Sequence, residues 1–86
     1  MSYDIKFTKQ AVKDYEKVKR STLSKKAKEV LHVLESNPYT LPYEKLEGLH
    51  NTYSRRLNIQ HRIVYEVVEV DKIVVILRMW THYDKL

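Results

Sequence analysis

The feature that most constrains this chain is a change in the spacing of its apolar residues. From Lys9 to Ser36 they recur every three or four positions, which is typical of amphipathic helices. After Thr52, and over Tyr3–Phe7 at the start, they alternate with polar residues, which is typical of half-buried strands. Because the helical and strand patterns occupy separate stretches, the sequence predicts an α+β fold.

Two helices are predicted, over residues 9–20 and from residue 21 or 22 to residue 36. Thr8 can cap the first helix, and Asn37-Pro38 ends the second because proline disfavours helical geometry in the residue before it. The short link between the helices favours an antiparallel pair. Their apolar faces are Ala11, Val12, Tyr15 and Val18 in the first, and Leu23, Ala27, Val30, Leu31 and Leu34 in the second.

Three further strands are predicted, at residues 52–58, 60–70 and 72–81. Tight turns around Asn58 and Val70 join them, as in antiparallel hairpins. The preceding segment, with both prolines and the only glycine, is predicted to be irregular. The expected order is therefore β-α-α-β-β-β, as one domain over residues 1–86, with both helices on one face of an antiparallel sheet.

Composition excludes several kinds of protein. At 86 residues the chain holds one domain with a small core, so homodimerisation would help to stabilise it. It has no cysteine, which excludes disulfides, thiolate metal sites and cysteine nucleophiles. No apolar run approaches the ~18 residues of a membrane span, and residues 1–8 lack the apolar stretch of a secretory signal. We therefore expect a cytoplasmic protein with no membrane partner.

Positive charge is unevenly placed along the chain. Sixteen Lys and Arg residues against eleven Asp and Glu give a net charge of +5, which favours an anionic partner. Most lysines lie in the helical half, where hydrated charges keep a helix surface solvated. Four of the five arginines lie between residues 55 and 78, and their planar guanidinium groups can hold phosphate through paired hydrogen bonds. The strands therefore carry the predicted binding charge.

Alternation along the strands predicts which residues share a face. The helices are expected to cover a face made of Leu57, Ile63, Tyr65, Val67, Ile73, Val75, Leu77 and Met79. The opposite face would then carry Arg56, Arg62, Arg78, Trp80 and His82. Guanidinium groups beside an aromatic ring suit single-stranded nucleic acid, with phosphates among the arginines and a base stacked on the ring. Arg56, Arg78 and Trp80 are accordingly predicted to bind substrate.

The same residues contain the parts of a metal-free phosphodiester cleavage site. That reaction needs a base, a cation to stabilise the phosphorane and an acid for the leaving oxygen. Glu44 or Glu47 could serve as the base, Arg62 with Arg56 as the cation, and His82 as the acid. No histidine lies at metal-ligand spacing from another, and no coenzyme motif is present, so we expect neither metal nor cofactor.

The stretch Tyr53–Tyr65, with the sequence YSRRLNIQHRIVY, resembles the Txe/YoeB family of bacterial toxins in the RelE superfamily. Three further segments are similar to that family: Thr8–Tyr15, the PYEKL run at 42–46, and the Thr-His-Tyr run at 81–83. The resemblance implies the same β-α-α-β-β-β fold. It also implies an endoribonuclease that cuts mRNA in the ribosomal A site, and a cognate antitoxin of the YefM/Axe type that wraps around it.

The resemblance also implies roles for individual residues. Glu44 falls at the family's general base toward the ribose 2′-hydroxyl, Arg56 and Arg62 at the scissile phosphate, His82 at the general acid, and Tyr83 at a substrate-binding tyrosine. The implied products are a 2′,3′-cyclic or 3′-phosphate and a free 5′-hydroxyl.

Several alternatives stay open at this point. The loop after Glu44 is one residue shorter than usual in the family, so Glu47 could occupy the base position. The chain could cleave free RNA without the ribosome. A ParE-like inhibitor of gyrase would share the fold, although those relatives generally lack the Glu, Arg and His set. A plain basic binding module, or the antitoxin itself, would need no catalytic set at all.

Overall fold

The computed structural model of the chain describes residues 2–40 and 42–81, with Thr81 described by its backbone alone. Two helices pack against one five-stranded sheet, which confirms the predicted α+β fold. The predicted acid His82 and its neighbour Tyr83 lie outside the described residues. The elements are β1 (Asp4–Phe7), α1 (Lys9–Lys19), α2 (Ser24–Ser36), β2 (Glu44–Lys45), β3 (Thr52–Arg56), β4 (Arg62–Val68) and β5 (Ile73–Thr81), with a 3₁₀ turn at Glu69–Asp71 before β5.

The sheet has the order β1-β5-β4-β3-β2 and is antiparallel except at one edge. There β1 pairs with β5 in parallel, from Asp4 beside Ile73 to Phe7 beside Ile76. The expectation of a wholly antiparallel sheet is wrong at this edge, because apolar alternation identifies a strand but not its partner. β2 lies in the segment predicted to be irregular, since a strand of two residues is too short to show a period.

A hydroxyl group caps the first helix, whereas the second begins after Leu23 without a side-chain cap. The Thr8 Oγ1 accepts a hydrogen bond from the Ala11 N–H at 3.1 Å, which confirms the predicted cap of α1. α2 begins later than predicted because Ser21 forms a turn first: its hydroxyl donates to the Val18 carbonyl at 2.7 Å and accepts from the Leu23 N–H at 3.1 Å. Within residues 2–40 and 42–81, no helix is long and apolar enough to cross a membrane.

One position of α1 departs from the predicted apolar face. Val12 is 49% exposed, whereas Asp14 is 1% exposed. The face turned to the sheet therefore consists of Ala11, Asp14 and Val18, still at spacings of three and four. A buried carboxylate breaks the apolar pattern, so the sequence pattern alone could not assign it to this face.

The hydrophobic core fills the space between the helices and one face of the sheet. In β4 the prediction is confirmed, since Ile63, Tyr65 and Val67 are buried there. In β5 it is wrong for the first half of the strand, where Val74 and Ile76 are the fully buried residues. The three residues expected in their place are half-buried on the opposite face: Ile73, Val75 and Leu77.

A bulge explains why Met79 is nevertheless buried as predicted. Tyr65 of β4 lies opposite Ile76, but the preceding Val64 lies opposite Arg78, so β5 carries one extra residue between these pairs. An extra residue reverses which side chains point to the core. Met79 therefore returns to the helix face, where it is fully buried.

Candidate active site

A carboxylate and a guanidinium group meet across the β2–β3–β4 edge of the sheet. Glu44 lies opposite Ser54, and Arg56 lies opposite Arg62. The Arg62 Nη1 donates to the Glu44 Oε1 at 2.6 Å and to the Ser54 Oγ at 3.3 Å. The Arg62 side chain is 13% exposed and that of Glu44 is 59% exposed, so the carboxylate faces solvent while the cation is held in the protein.

A pocket of about 300 Å³ adjoins this pair. It lies where β2 ends, since within the described part of the chain β2 pairs with β3 only at Tyr53 and Ser54. The charged and polar side chains that line it are Lys26, Glu44, Ser54, Arg55, Arg56 and Arg62.

Side chains of β3 and β4 hold the segment that leads into β2. The Tyr65 hydroxyl donates to the Pro38 carbonyl at 2.8 Å, and both groups are buried. The Arg55 guanidinium group donates to the Thr40 carbonyl. These bonds fix the backbone just before β2, and they therefore fix the position of Glu44.

A cluster of aromatic rings packs against the same segment. Tyr53 lies at its centre, with ring centroids 5.8 Å from Tyr39, 5.5 Å from Tyr43 and 5.8 Å from Tyr65. Pairs of this kind contribute roughly 0.5–1.5 kcal/mol beyond the area they bury. Apolar spacing does not predict this cluster, although seven tyrosines in 86 residues are a compositional signal for it.

Tyr39, in the segment that leads into β2, is hydrogen-bonded to Glu69 of the 3₁₀ turn. The Glu69 carboxylate accepts hydrogen bonds from Tyr39 at 2.6 Å, from Tyr3 at 2.9 Å and from Lys72. The bond from Lys72, then those from Tyr39 and Tyr3, lower the pKa of Glu69 to about 2. Burial and this acceptor raise the pKa of Tyr39, so its hydroxyl remains a donor.

Arg78, predicted to bind substrate, forms an ion pair at the other side of the sheet. Its Nε donates to the Asp14 Oδ2 at 2.9 Å, and the Met79 N–H donates to the same oxygen at 3.0 Å. Burial raises the pKa of Asp14, but the bonds from Arg78, Met79 and Gln10 outweigh it and hold the pKa below the usual value. The structure therefore gives Arg78 a partner in α1 and does not place it in the pocket.

Trp80, the predicted platform for a base, packs against the hydrophobic core. One face of its ring is stacked on His61, with centroids 3.9 Å apart and an angle of 17° between the planes. His61 belongs to a tight turn in which the Asn58 Oδ1 accepts from the Gln60 and His61 N–H groups at 2.8 and 2.7 Å. This turn confirms the tight connection predicted around Asn58.

Glu47, the alternative base, lies on the loop between β2 and β3. It lines a separate groove together with Leu49 and His50. Among the residues described, the carboxylate that contacts Arg62 is that of Glu44. The geometry therefore favours Glu44 for the pocket.

Comparison with known proteins identifies the family. The sequence model of the ParE toxin of type II toxin–antitoxin systems (parDE) matches residues 5–85. This chain belongs to that toxin family. The predicted resemblance to toxins of the RelE/ParE superfamily is thereby confirmed. None of the curated proteins matches the chain significantly.

Solved structures place this toxin among YoeB-like and RelE-like folds. The YoeB dimer from Staphylococcus aureus is 32% identical, with a TM-score of 0.81, and the match covers 96% of this chain and 100% of that one. A YoeB/ParE toxin from Agrobacterium tumefaciens is 24% identical, with a TM-score of 0.84, over 93% of this chain and 99% of that one. The intact RelBE toxin–antitoxin complex from E. coli contains a chain that is 24% identical, with a TM-score of 0.81, over 94% of this toxin and 98% of that chain.

The fold thus brings together only part of the predicted set. Glu44, Arg56 and Arg62 line one pocket of the toxin. Arg78 and Trp80 are engaged by Asp14 and His61 respectively. The roles of His82 and Tyr83 stay predictions, since both residues lie outside the described part of the chain.

Proposed function

We propose that this toxin is an endoribonuclease that cuts mRNA in the ribosomal A site and needs no metal ion. The observation that carries the proposal is the 2.6 Å contact between Glu44 and Arg62 at the rim of the pocket. A carboxylate that is open to solvent can reach a ribose hydroxyl. A guanidinium group held beside it can meet the neighbouring phosphate. Arg56, on the adjacent strand, adds a second cation to the same pocket.

The proposed reaction is an internal transesterification. Glu44 removes the proton from the ribose 2′-hydroxyl, and the 2′-oxygen attacks the adjacent phosphorus while the bond from phosphorus to the 5′-oxygen breaks. His82 donates a proton to that leaving oxygen, which gives a 2′,3′-cyclic phosphate and a free 5′-hydroxyl. Arg62 holds the base, Glu44, by a hydrogen bond, and its positive charge lies where it can stabilise the phosphorane.

Each positioned group should contribute strongly to the rate. A general acid or base supplies roughly 10²–10⁴-fold, and a fixed cation at the developing charge supplies a comparable factor. We therefore expect Glu44→Gln and His82→Gln each to slow cleavage by roughly 10²–10⁴-fold. Glu47→Gln should leave cleavage near the wild-type rate, because Glu47 lines a different groove.

Primer extension on a defined mRNA tests the proposal, with purified toxin in the presence and absence of ribosomes. Cleavage that depends on ribosomes and on Glu44 supports it. If free RNA is cleaved at the same rate without ribosomes, the toxin recognises RNA directly and the ribosomal part of the proposal is wrong. Loss of activity in Glu47→Gln but not in Glu44→Gln would move the base to Glu47.

The match to the ParE family favours a second candidate, inhibition of gyrase. That activity needs a protein-binding surface and no acid–base pair. A supercoiling assay with purified gyrase distinguishes the two. Inhibition by both the wild type and Glu44→Gln, together with intact mRNA, would support the second candidate and overturn the first.

An acidic antitoxin is the proposed protein partner. Chains similar to this toxin occur in a YoeB–YefM complex from S. aureus, at 31% identity, a TM-score of 0.77 and coverage of 96% of this chain and all of that one. An acidic segment laid over Arg56 and Arg62 would neutralise their charge and exclude RNA together. Hydrogen exchange of β3 and β4, measured with and without antitoxin, would show whether the pocket is covered.

A further inference from the structure

The pocket holds more positive charge than one phosphate group can balance. Of the described residues, four cationic side chains line it, those of Lys26, Arg55, Arg56 and Arg62, and one carboxylate, that of Glu44. The net charge of this described lining is therefore +3 before a substrate enters. The phosphodiester that is cut carries one negative charge, so most of this excess is left for another group.

Arg55 is the most informative of these cations. It is only 9% exposed, and it lines the pocket. Its one hydrogen bond within the described residues goes to the Thr40 carbonyl, which is uncharged, and no described carboxylate lies within ion-pair distance. A buried charge is costly unless an opposite charge pairs with it. A buried guanidinium group with a neutral partner therefore indicates that a ligand supplies the anion.

Lys26 lines the same pocket as Arg55. It is an exposed residue of α2, and the pocket is bounded by α2 on one side and by β3 on the other. None of the ion pairs among the described residues includes Lys26. A flexible lysine side chain and a guanidinium group that line one pocket can both bind a tetrahedral anion there.

We propose that Arg55 and Lys26 form a second phosphate site, which binds the phosphodiester next to the one that Arg56 and Arg62 hold. The site gives the toxin a grip on two consecutive phosphates of an RNA strand. It rests on the proposed function, since it takes RNA as the ligand of the pocket. The sequence predicts that the lysines of the helical half, Lys26 among them, keep the helix surface solvated. The position of Lys26 beside the pocket is set by the tertiary fold and is not visible in the sequence.

Binding of uncleavable probes tests the second site apart from catalysis. The probes are 2′-O-methyl dinucleotides, which lack the attacking hydroxyl, with and without an added phosphate at either end. We expect an added phosphate at one end to raise affinity about 10-fold, as a charge-assisted hydrogen bond would. This gain should be lost in Lys26→Gln and in Arg55→Gln. It should persist in Lys28→Gln, a matched exposed lysine of α2 that does not line the pocket.

Salt dependence provides a second measurement. Each phosphate contact adds about 0.7 to the slope of log affinity against log salt for a single strand. Lys26→Gln should lower that slope by about 0.7, and Lys28→Gln should leave it unchanged. If Arg55→Gln does not fold, Lys26→Gln and the paired probes on the wild type decide the matter.

Two results would overturn the second site. One is equal affinity of the wild type for the probes with and without the added phosphate. The other is tighter binding of an acidic peptide than of a phosphorylated probe of equal charge, which would assign the surplus charge to a protein partner. A toxin that cleaves RNA but shows no gain from the added phosphate retains the proposed function and loses the second site. If the added phosphate raises affinity but no assay shows cleavage, the second site is retained and the proposed function is lost.

Discussion

The sheet carries an arginine–carboxylate pair toward each of its two edges, and the pairs differ in burial. Asp14 is 1% exposed, and its carboxylate accepts three hydrogen bonds, from Arg78, the Met79 backbone and Gln10. Glu44 is 59% exposed, and its described bond is the one from Arg62. A carboxylate that is buried and already accepts three hydrogen bonds from the protein is closed to a substrate. The exposed pair can exchange its partner for a ligand, and it is therefore the one suited to chemistry.

The largest expected difference between the two pairs is in stability. Asp14→Asn should destabilise the fold by about 3–5 kcal/mol, because it leaves the Arg78 charge without its anion in a partly buried site. Glu44→Gln should cost less, about 1 kcal/mol, because the Glu44 carboxylate is exposed, although Arg62, 13% exposed, loses its anion. Urea denaturation of both variants measures this. Equal losses would show that the two pairs do not differ in the way that burial suggests.

The next effect concerns the backbone segment that positions Glu44, changed while the Glu44–Arg62 pair is kept intact. Tyr65→Phe removes the hydroxyl that donates to the buried Pro38 carbonyl and should cost about 1–3 kcal/mol. Because Pro38 lies in the segment leading to β2, cleavage should slow as well. The stability control is Tyr43→Phe, whose hydroxyl makes no hydrogen bond to any described residue. If Tyr65→Phe unfolds and cleaves RNA as the wild type does, the Tyr65–Pro38 hydrogen bond does not position Glu44.

A smaller loss of stability is expected at the β1–β5 side of the sheet, where Thr8 caps α1. Beyond Phe7, the edge of β5 is covered by Thr8, whose Oγ1 also bonds the Leu77 carbonyl at 3.1 Å. Thr8→Ala should cost about 1 kcal/mol through the lost cap of α1. Cleavage per folded molecule should be unchanged, since Thr8 lies away from the pocket. A selective loss of cleavage would connect this edge to the chemistry.

The smallest effect is a dependence of stability on pH. The pKa of Glu69 is about 2 in the folded chain against an ordinary 4.5, so the unfolded chain binds this proton more readily. The contribution of Glu69 is therefore present above pH ~4.5 and is lost as pH falls toward 2. Glu69→Gln should flatten that part of the stability profile. Glu29→Gln, an exposed glutamate of α2, should leave the profile as in the wild type.

Much of the fold could be predicted because apolar spacing is a local property. The cap at Thr8, the helix end at Asn37 and the turn at Asn58 each depend on a few neighbouring residues. The parallel pairing of β1 and the bulge in β5 depend on partners far along the chain. Alternation assumes a regular strand, so one extra residue near Leu77 reversed the predicted faces of β5.

The site shows the same division. The meeting of Glu44 with Arg62 was expected from the family resemblance, and spacing alone offered Glu47 equally. Arg78 pairs with the buried Asp14 and therefore does not line the pocket. A helical spacing pattern does not indicate which carboxylate will be buried. The sequence predicts binding charge for Arg55 as one of the strand arginines but does not pair it with Lys26, because their shared pocket exists only once α2 packs beside β3.

The brevity of β2 has a consequence for how the chain tolerates change. Glu44 is positioned by its pairing with Ser54, and the connection that follows is closed by the Leu46 N–H on the Thr52 carbonyl at 2.9 Å. Between those points the backbone turns at Gly48 and Asn51, both with positive φ. Insertions or deletions within this connection should therefore alter its length while the glutamate keeps its place.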